Sequence, residues 1–150
     1  VVEEVGFRST RLRNLDGHLV TISNGELANK AIQNIGRRPF IRRVFTLGLT
    51  YDTKPAQMQR AVEILRELLG NHEGMKPDTP ARVYYQEFAA YALNIQVIYW
   101  YHPADYWKYM EFSERLNQQI LERFNAEGLS FAFPTQTIHM AEVEPRINAN

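Results

Sequence analysis

The residues best equipped for chemistry are four histidines, His18, His72, His102 and His139. No two of them stand at metal-ligand spacing, and no His-Glu-x-x-His occurs. The chain has no cysteine, which excludes disulfides and thiolate metal sites. The glycine pair in Gly70-Asn71-His72-Glu73-Gly74 lacks the Lys-Ser/Thr that would make a phosphate loop, and no serine sits in a Gly-x-Ser-x-Gly elbow. Glu111, Glu114, Glu122 and Glu127 could suggest paired carboxylates. They are interleaved with Lys108, Arg115 and Arg123 on a helical stretch, which is the pattern of a solvated charged face.

Two further groups are less easily dismissed. Tyr99, Trp100, Tyr101, Tyr106, Trp107 and Tyr109 form an aromatic run that is either core or subunit contact, since Tyr and Trp serve both. Arg8, Arg11, Arg13, Arg37, Arg38, Arg42 and Arg43 crowd the first third of the chain. They could bind RNA or phosphate, although the aromatic stacking run of an RRM is missing. They could equally line a water-filled space or face lipid headgroups.

The elements that must carry these residues follow from pattern. Asp16-Gly17 between two β-rich runs predicts a type I′ hairpin with His18–Ile22 as its return strand. Ser23-Asn24-Gly25 reads as a turn in which Asn and Gly supply positive φ. One helical turn over 26–30 and a short strand over 31–35 follow. The basic, proline-containing stretch 37–43 reads as a joint, and 44–51 as the next strand.

Met58, Ala61, Val62, Leu65, Leu68 and Leu69 give one apolar helix face, entered at Thr53 and Pro55 and closed by Gly70. Arg82–Phe88 and Leu93–Tyr101 predict two strands. A long helix over 105–127 carries Tyr109, Phe112, Leu116, Ile120 and Phe124 inward, with Gly128 as its cap. A last strand is expected over 129–133, extended or bent over 134–138, before a polar tail.

From residue 40 the order is β-α-β-β-α-β, the ferredoxin-like pattern. Ahead of it lies a small all-β unit with too few strands to stand alone easily. The fold class expected is therefore α+β: a small all-β unit, which the resemblance given below implies is a partial Sm-like small β-barrel, followed by a ferredoxin-like sandwich. The domains expected are 1–39, 40–141 and a polar tail 142–150.

Bulk properties agree. The 150 residues include 17 basic and 17 acidic side chains, so a strongly basic nucleic-acid binder is not indicated. The zero total hides an asymmetry: residues 1–45 are net +4 and residues 46–150 net −4. No stretch approaches the ~18 consecutive apolar residues needed to span a bilayer. The opening Val1-Val2-Glu3-Glu4 reads as a cut within something longer.

Residues 8–25, from Arg8-Ser9-Thr10-Arg11 through Leu15-Asp16-Gly17-His18 to Ser23-Asn24-Gly25, resemble the β domain of MscS-type mechanosensitive channels. The likeness continues through Glu26–Asn34, Arg37-Arg38-Pro39, Gly48–Thr53 and Gly128-Leu129-Ser130-Phe131-Ala132-Phe133-Pro134-Thr135-Gln136-Thr137. It implies a homoheptamer in the inner membrane, with this region on the cytoplasmic side as a ring-shaped cage below the pore. The cage would filter ions and solutes and couple to gating under tension during osmotic down-shock.

Upstream transmembrane helices of the same subunit would be its partners, with membrane lipids met through the part that is missing. No enzyme activity, cofactor, metal or nucleic acid is implied. By resemblance Asn24 and Gly25 form the turn that lies near the pore-lining helix, with Ser23 where the family has proline. Arg37, Arg38, Arg42 and Arg43 are the candidate basic cluster facing vestibule or headgroups. The alternative reading is a soluble Sm-like RNA-binding module fused to a ferredoxin-like domain.

Overall fold

The computed structural model describes residues 1–134, so His139, Thr135-Gln136-Thr137, the expected strand extension to 138 and the tail 142–150 lie outside the described residues. The chain forms two compact units that divide after Arg38. The α+β expectation holds, with one antiparallel sheet in each unit.

In the first unit, β1 (Val2–Val5), β2 (Ser9–Arg13) and β3 (Leu19–Ser23) form a meander in that order. Leu12 opposes Val20 and Thr10 opposes Ile22. The β2–β3 turn is not the two-residue type I′ turn that Asp16-Gly17 suggests. That turn needs positive φ at both central residues, and only Gly17 has it, at +85°. Instead the Gly17 amide donates to the Asn14 carbonyl at 3.2 Å, and the Asn14 side-chain oxygen accepts the His18 amide at 2.7 Å. An asparagine at the loop entry has taken over the closure.

A short helix α1 (Asn24–Ala28) follows. The strand expected over 31–35 is absent. A 3-10 turn spans Ile35–Arg37, with the Asn34 side chain accepting the Arg37 amide at 3.1 Å. That side chain offers the backbone a local partner in place of a sheet edge. Thr10 is the one buried side chain of this unit, while Val5 and Ile32 are 72% and 74% exposed.

The second unit is built on β4 (Ile41–Leu49), β5 (Arg82–Phe88) and β6 (Leu93–Tyr101), in the order β4-β6-β5 and antiparallel throughout. β6 alternates strictly, so Leu93, Ile95, Val97, Tyr99 and Tyr101 all enter the core. Helices α2 (Pro55–Leu69) and α3 (Tyr106–Ala126) supply most of the rest of that core, with Leu49 of β4, Val83 of β5 and Leu129. Ile64 is fully buried on α2 beside the expected face, whereas Leu68 is only partly covered. Burial of a side chain such as Phe124 or Ile95 contributes about 1.5–3 kcal/mol each.

Helix ends account for the remaining boundaries. α2 starts one residue later than expected, with Lys54 as cap and its amide donating to the Gln57 side chain at 3.0 Å. Gly70 closes it in a right-handed conformation, so the left-handed cap expected there is not formed. Asp105 caps α3 by accepting the amides of Trp107 and Lys108 at 3.1 and 3.2 Å. At its far end Gly128 has φ +65°, and Leu129 and Gly128 donate to the carbonyls of Phe124 and Asn125. This is a Schellman closure, and Leu129 packs into the core beside Phe124.

The last strand expected over 129–133 is reduced to one bridge, Leu49 to Phe131, on the side of β4 away from β6. Two hydrogen bonds flank it, Thr50 amide to Ser130 and Ala132 amide to Gly48. Pro134, the last described residue, has no amide to donate to a ladder.

Candidate functional site

The turn singled out by sequence is held by a single side chain. β3 ends at Ser23, whose hydroxyl accepts the Glu26 amide at 3.3 Å and so caps α1. Its φ of −65° is the value a proline ring would impose, so serine keeps that backbone and adds a cap.

Asn24 then opens the helix. Its amide nitrogen donates to the carbonyls of Gly6 at 2.9 Å and Phe7 at 3.2 Å. Its side-chain oxygen accepts the Thr10 hydroxyl at 2.8 Å, and its backbone amide donates to Arg8 at 2.9 Å. One residue thereby ties the β1–β2 turn to the junction of β3 and α1. Neither Asn24 nor Gly25 has the positive φ expected of them. A Cβ at Gly25 would meet nothing within 4 Å, so the glycine leaves the start of α1 open instead of relieving strain.

The four arginines are divided two and two between the units. Arg37 and Arg38 are exposed around the 3-10 turn. Arg42 and Arg43 are consecutive in β4 and so point to opposite faces. Arg42 is exposed opposite Trp100. Arg43 turns to the helix side. Its guanidinium lies 4.5 Å from the Phe45 ring centre and donates to the Tyr99 hydroxyl at 3.3 Å and to Asn117 at 3.4 Å. Arg43 is thus engaged in packing, and of the pair Arg42 is the exposed cation.

The carboxylates bear out the reading of a solvated charged face in part. Glu127 and Glu67 both bind Arg60, at 2.9 and 3.0 Å, and Glu67 also binds Arg123 at 2.5 Å. The bond from Arg123, then that from Arg60, holds the Glu67 carboxyl below the usual carboxylate range. Among the described residues no three His, Asp or Glu side chains converge as a metal site. No helix among them is long and apolar enough to cross a membrane.

Sequence reasoning missed Thr10, the buried partner of Asn24. A polar residue on the inward parity of β2 was the available signal.

The family description "Mechanosensitive ion channel, beta-domain" matches residues 1–37, and "Mechanosensitive ion channel MscS, C-terminal" matches residues 44–131. This chain belongs to the MscS family of mechanosensitive ion channels. Channels of the MscS family are membrane proteins.

The small-conductance mechanosensitive channel MscMJ of Methanocaldococcus jannaschii is 39% identical over 140 residues, covering 93% of this chain and 39% of that protein. The low conductance mechanosensitive channel YnaI of Escherichia coli is 30% identical over 145 residues, covering 96% of this chain and 42% of that protein. Among solved structures, closed-state MscS of Helicobacter pylori superposes with a TM-score of 0.76 at 20% identity, covering 95% of this chain and 54% of that one. MSL1 of Arabidopsis thaliana gives 0.79 at 14% identity, covering 89% and 48%. These likenesses carry the fold. The chain spans about two-fifths of the length of these curated relatives and about half of these solved chains.

Proposed function

We propose that this chain forms the cytoplasmic-side wall of an inner-membrane mechanosensitive channel, in which copies of the chain, seven in the full ring, make a cage below the pore. The observation that carries this is the match of two successive channel-family descriptions, in order, over both units. In this reading residues 1–39 are the β domain, 40–141 the α/β domain and 142–150 a polar tail.

The physical chemistry supports it. The first unit leaves Val2, Val20, Ile32 and Ile35 exposed around one cleft, an apolar surface that a ring of subunits would cover. A cage that passes ions acts through wall charge and opening size, which requires no covalent chemistry. Arg37, Arg38 and Arg42 carry exposed guanidinium groups suited to the vestibule wall or to anionic headgroups. Asn24 makes the turn a stiff relay, so a displacement of the β3–α1 junction is passed to β1 and β2 in place of being absorbed locally.

The test is a chimera in which this chain replaces the matching region of MscMJ, recorded in membrane patches under suction. Tension-gated currents that persist, with a shifted opening threshold in Asn24→Ala, support the reading. A chimera that assembles in the membrane but never conducts would refute it.

A further inference from the structure

The loop between α2 and β5 contains an arrangement that the channel reading does not use. His72 is 8% exposed and stands in a cage of rings. The Phe112 and Tyr101 rings stack with it at 4.9 and 6.4 Å, and Tyr99 meets it edge-on at 5.5 Å. Its Nδ1 accepts the Gly74 amide at 3.2 Å, so Nδ1 carries the lone pair and the ring proton sits on Nε2. Nε2 is buried without a partner, and no other buried side-chain nitrogen or oxygen among the described residues shares that condition.

Residues 72–75 of this loop are strapped to their neighbours. The Met75 amide donates to the His72 carbonyl at 2.9 Å, and the His102 amide to the Gly74 carbonyl at 2.8 Å. His102 Nδ1 also lies 3.1 Å from that carbonyl. Glu73 accepts the Tyr101 hydroxyl at 3.0 Å and the Arg115 guanidinium at 2.8 Å.

We propose that residues 71–75 are an acid-released latch: a proton taken up at Nδ1 of His72 removes the acceptor that holds the Gly74 amide and drives the imidazolium out of its ring cage. Two N–H groups would then face each other across 3.2 Å, and a cation would lie among three aromatic rings with no hydrogen-bond acceptor for Nε2.

The charged and titratable groups around the ring do not offer a ready counterion. Glu73, on the loop itself, is already engaged by Arg115 of α3 and Tyr101 of β6. Tyr101 keeps its proton, its hydroxyl pushed up to about 12 by burial and by the Glu73 carboxylate. Tyr99 of β6 is held by Ser113 of α3 and Arg43 of β4. His102 lies beyond the loop backbone, and Tyr109 and Asp105 stand near Tyr101 on the α3 side. Burial holds the His72 imidazole below the usual histidine range, and His102 adds to this against the opposite pull of Glu73.

The sign follows from that depression. The neutral ring stabilises the closed loop fully above the unfolded value of about 6.5, and the contribution is lost as pH falls below it, until the closed form also binds the proton. Within that window the opening constant rises up to tenfold per pH unit for one proton.

The experiment is hydrogen exchange at the Gly74, Met75 and His102 amides from pH 8 to 5, corrected for intrinsic rates. The expected result is protection that falls by up to about tenfold per pH unit below about 6.5, and that stays flat in His72→Phe and in His72→Asn. His102→Asn should keep the wild-type slope. A flat wild-type profile, or a slope that survives in either His72 variant, would overturn the latch. Should both variants fail to fold, the NMR titration of the His72 ring decides: a midpoint at or above the ordinary histidine value overturns it, and one below supports it. The inference is independent of the channel reading, since it concerns only the second unit's own stability.

Discussion

Replacing Asn24 by alanine removes three side-chain hydrogen bonds at once, those to Gly6, Phe7 and Thr10. A neutral hydrogen bond contributes about 1 kcal/mol net, so three set a ceiling of about 3 kcal/mol. The Phe7 carbonyl lies on an exposed turn and regains water, which returns part of this. The Thr10 hydroxyl, 6% exposed, loses its acceptor where water reaches it poorly. The expected loss is about 2 kcal/mol, or about a 30-fold rise in opening of the first unit.

Tryptophan and tyrosine fluorescence will not report it, because both tryptophans and all eight tyrosines lie beyond Arg38. Amide exchange across the β2–β3 ladder will. A second substitution, Thr10→Val, removes the stranded hydroxyl, so the double variant should be about 1 kcal/mol less destabilised than the two single effects predict together. Exchange within about twofold of wild type in Asn24→Ala, or strict additivity in the double variant, would show that the staple does not hold the turn.

The second unit offers two simpler checks. Gly74→Ala would place a methyl about 2.8 Å from the Cγ and Cε2 atoms of the buried Tyr101 ring, and should cost about 1–3 kcal/mol in urea unfolding followed by tryptophan fluorescence. Asp105→Ala strips the cap from α3 and should cost about 1 kcal/mol by the same measurement, with the unfolding slope unchanged.

The second unit was largely legible because its sequence repeats one message at several levels. In β6 each alternate residue is apolar and β-favouring, so periodicity alone returned both of its ends. α3 announced its start through Asp105 and its stop through Gly128. What escaped were positions where a side chain competes with the backbone pattern. Asn14 and Asn34 each close a turn by accepting an amide, which converted an expected tight hairpin into a longer loop and an expected strand into a 3-10 turn.

At the candidate turn the sequence pointed to a backbone property, and the structure shows a side-chain one. The Asn24 side-chain amide bonds three residues, Gly6, Phe7 and Thr10, and its backbone is not left-handed. His72 sits in a stretch that reads as a polar loop, and only the approach of three distant rings makes it buried.

The single bridge at Phe131 has a wider effect. Within residues 1–134, β4 from Ile41 to Leu47 shows its outer row of amide and carbonyl groups to no other strand. Such a row is a template on which the free edge of a second copy could pair. Because β6 occupies the other side of β4, a β4-to-β4 contact would join two molecules and go no further. Arg42 stands exposed on that edge, and a charge there opposes such pairing. Neutralising Arg42 is expected to promote self-association through the edge, to be checked by light scattering before any change in ion traffic is read.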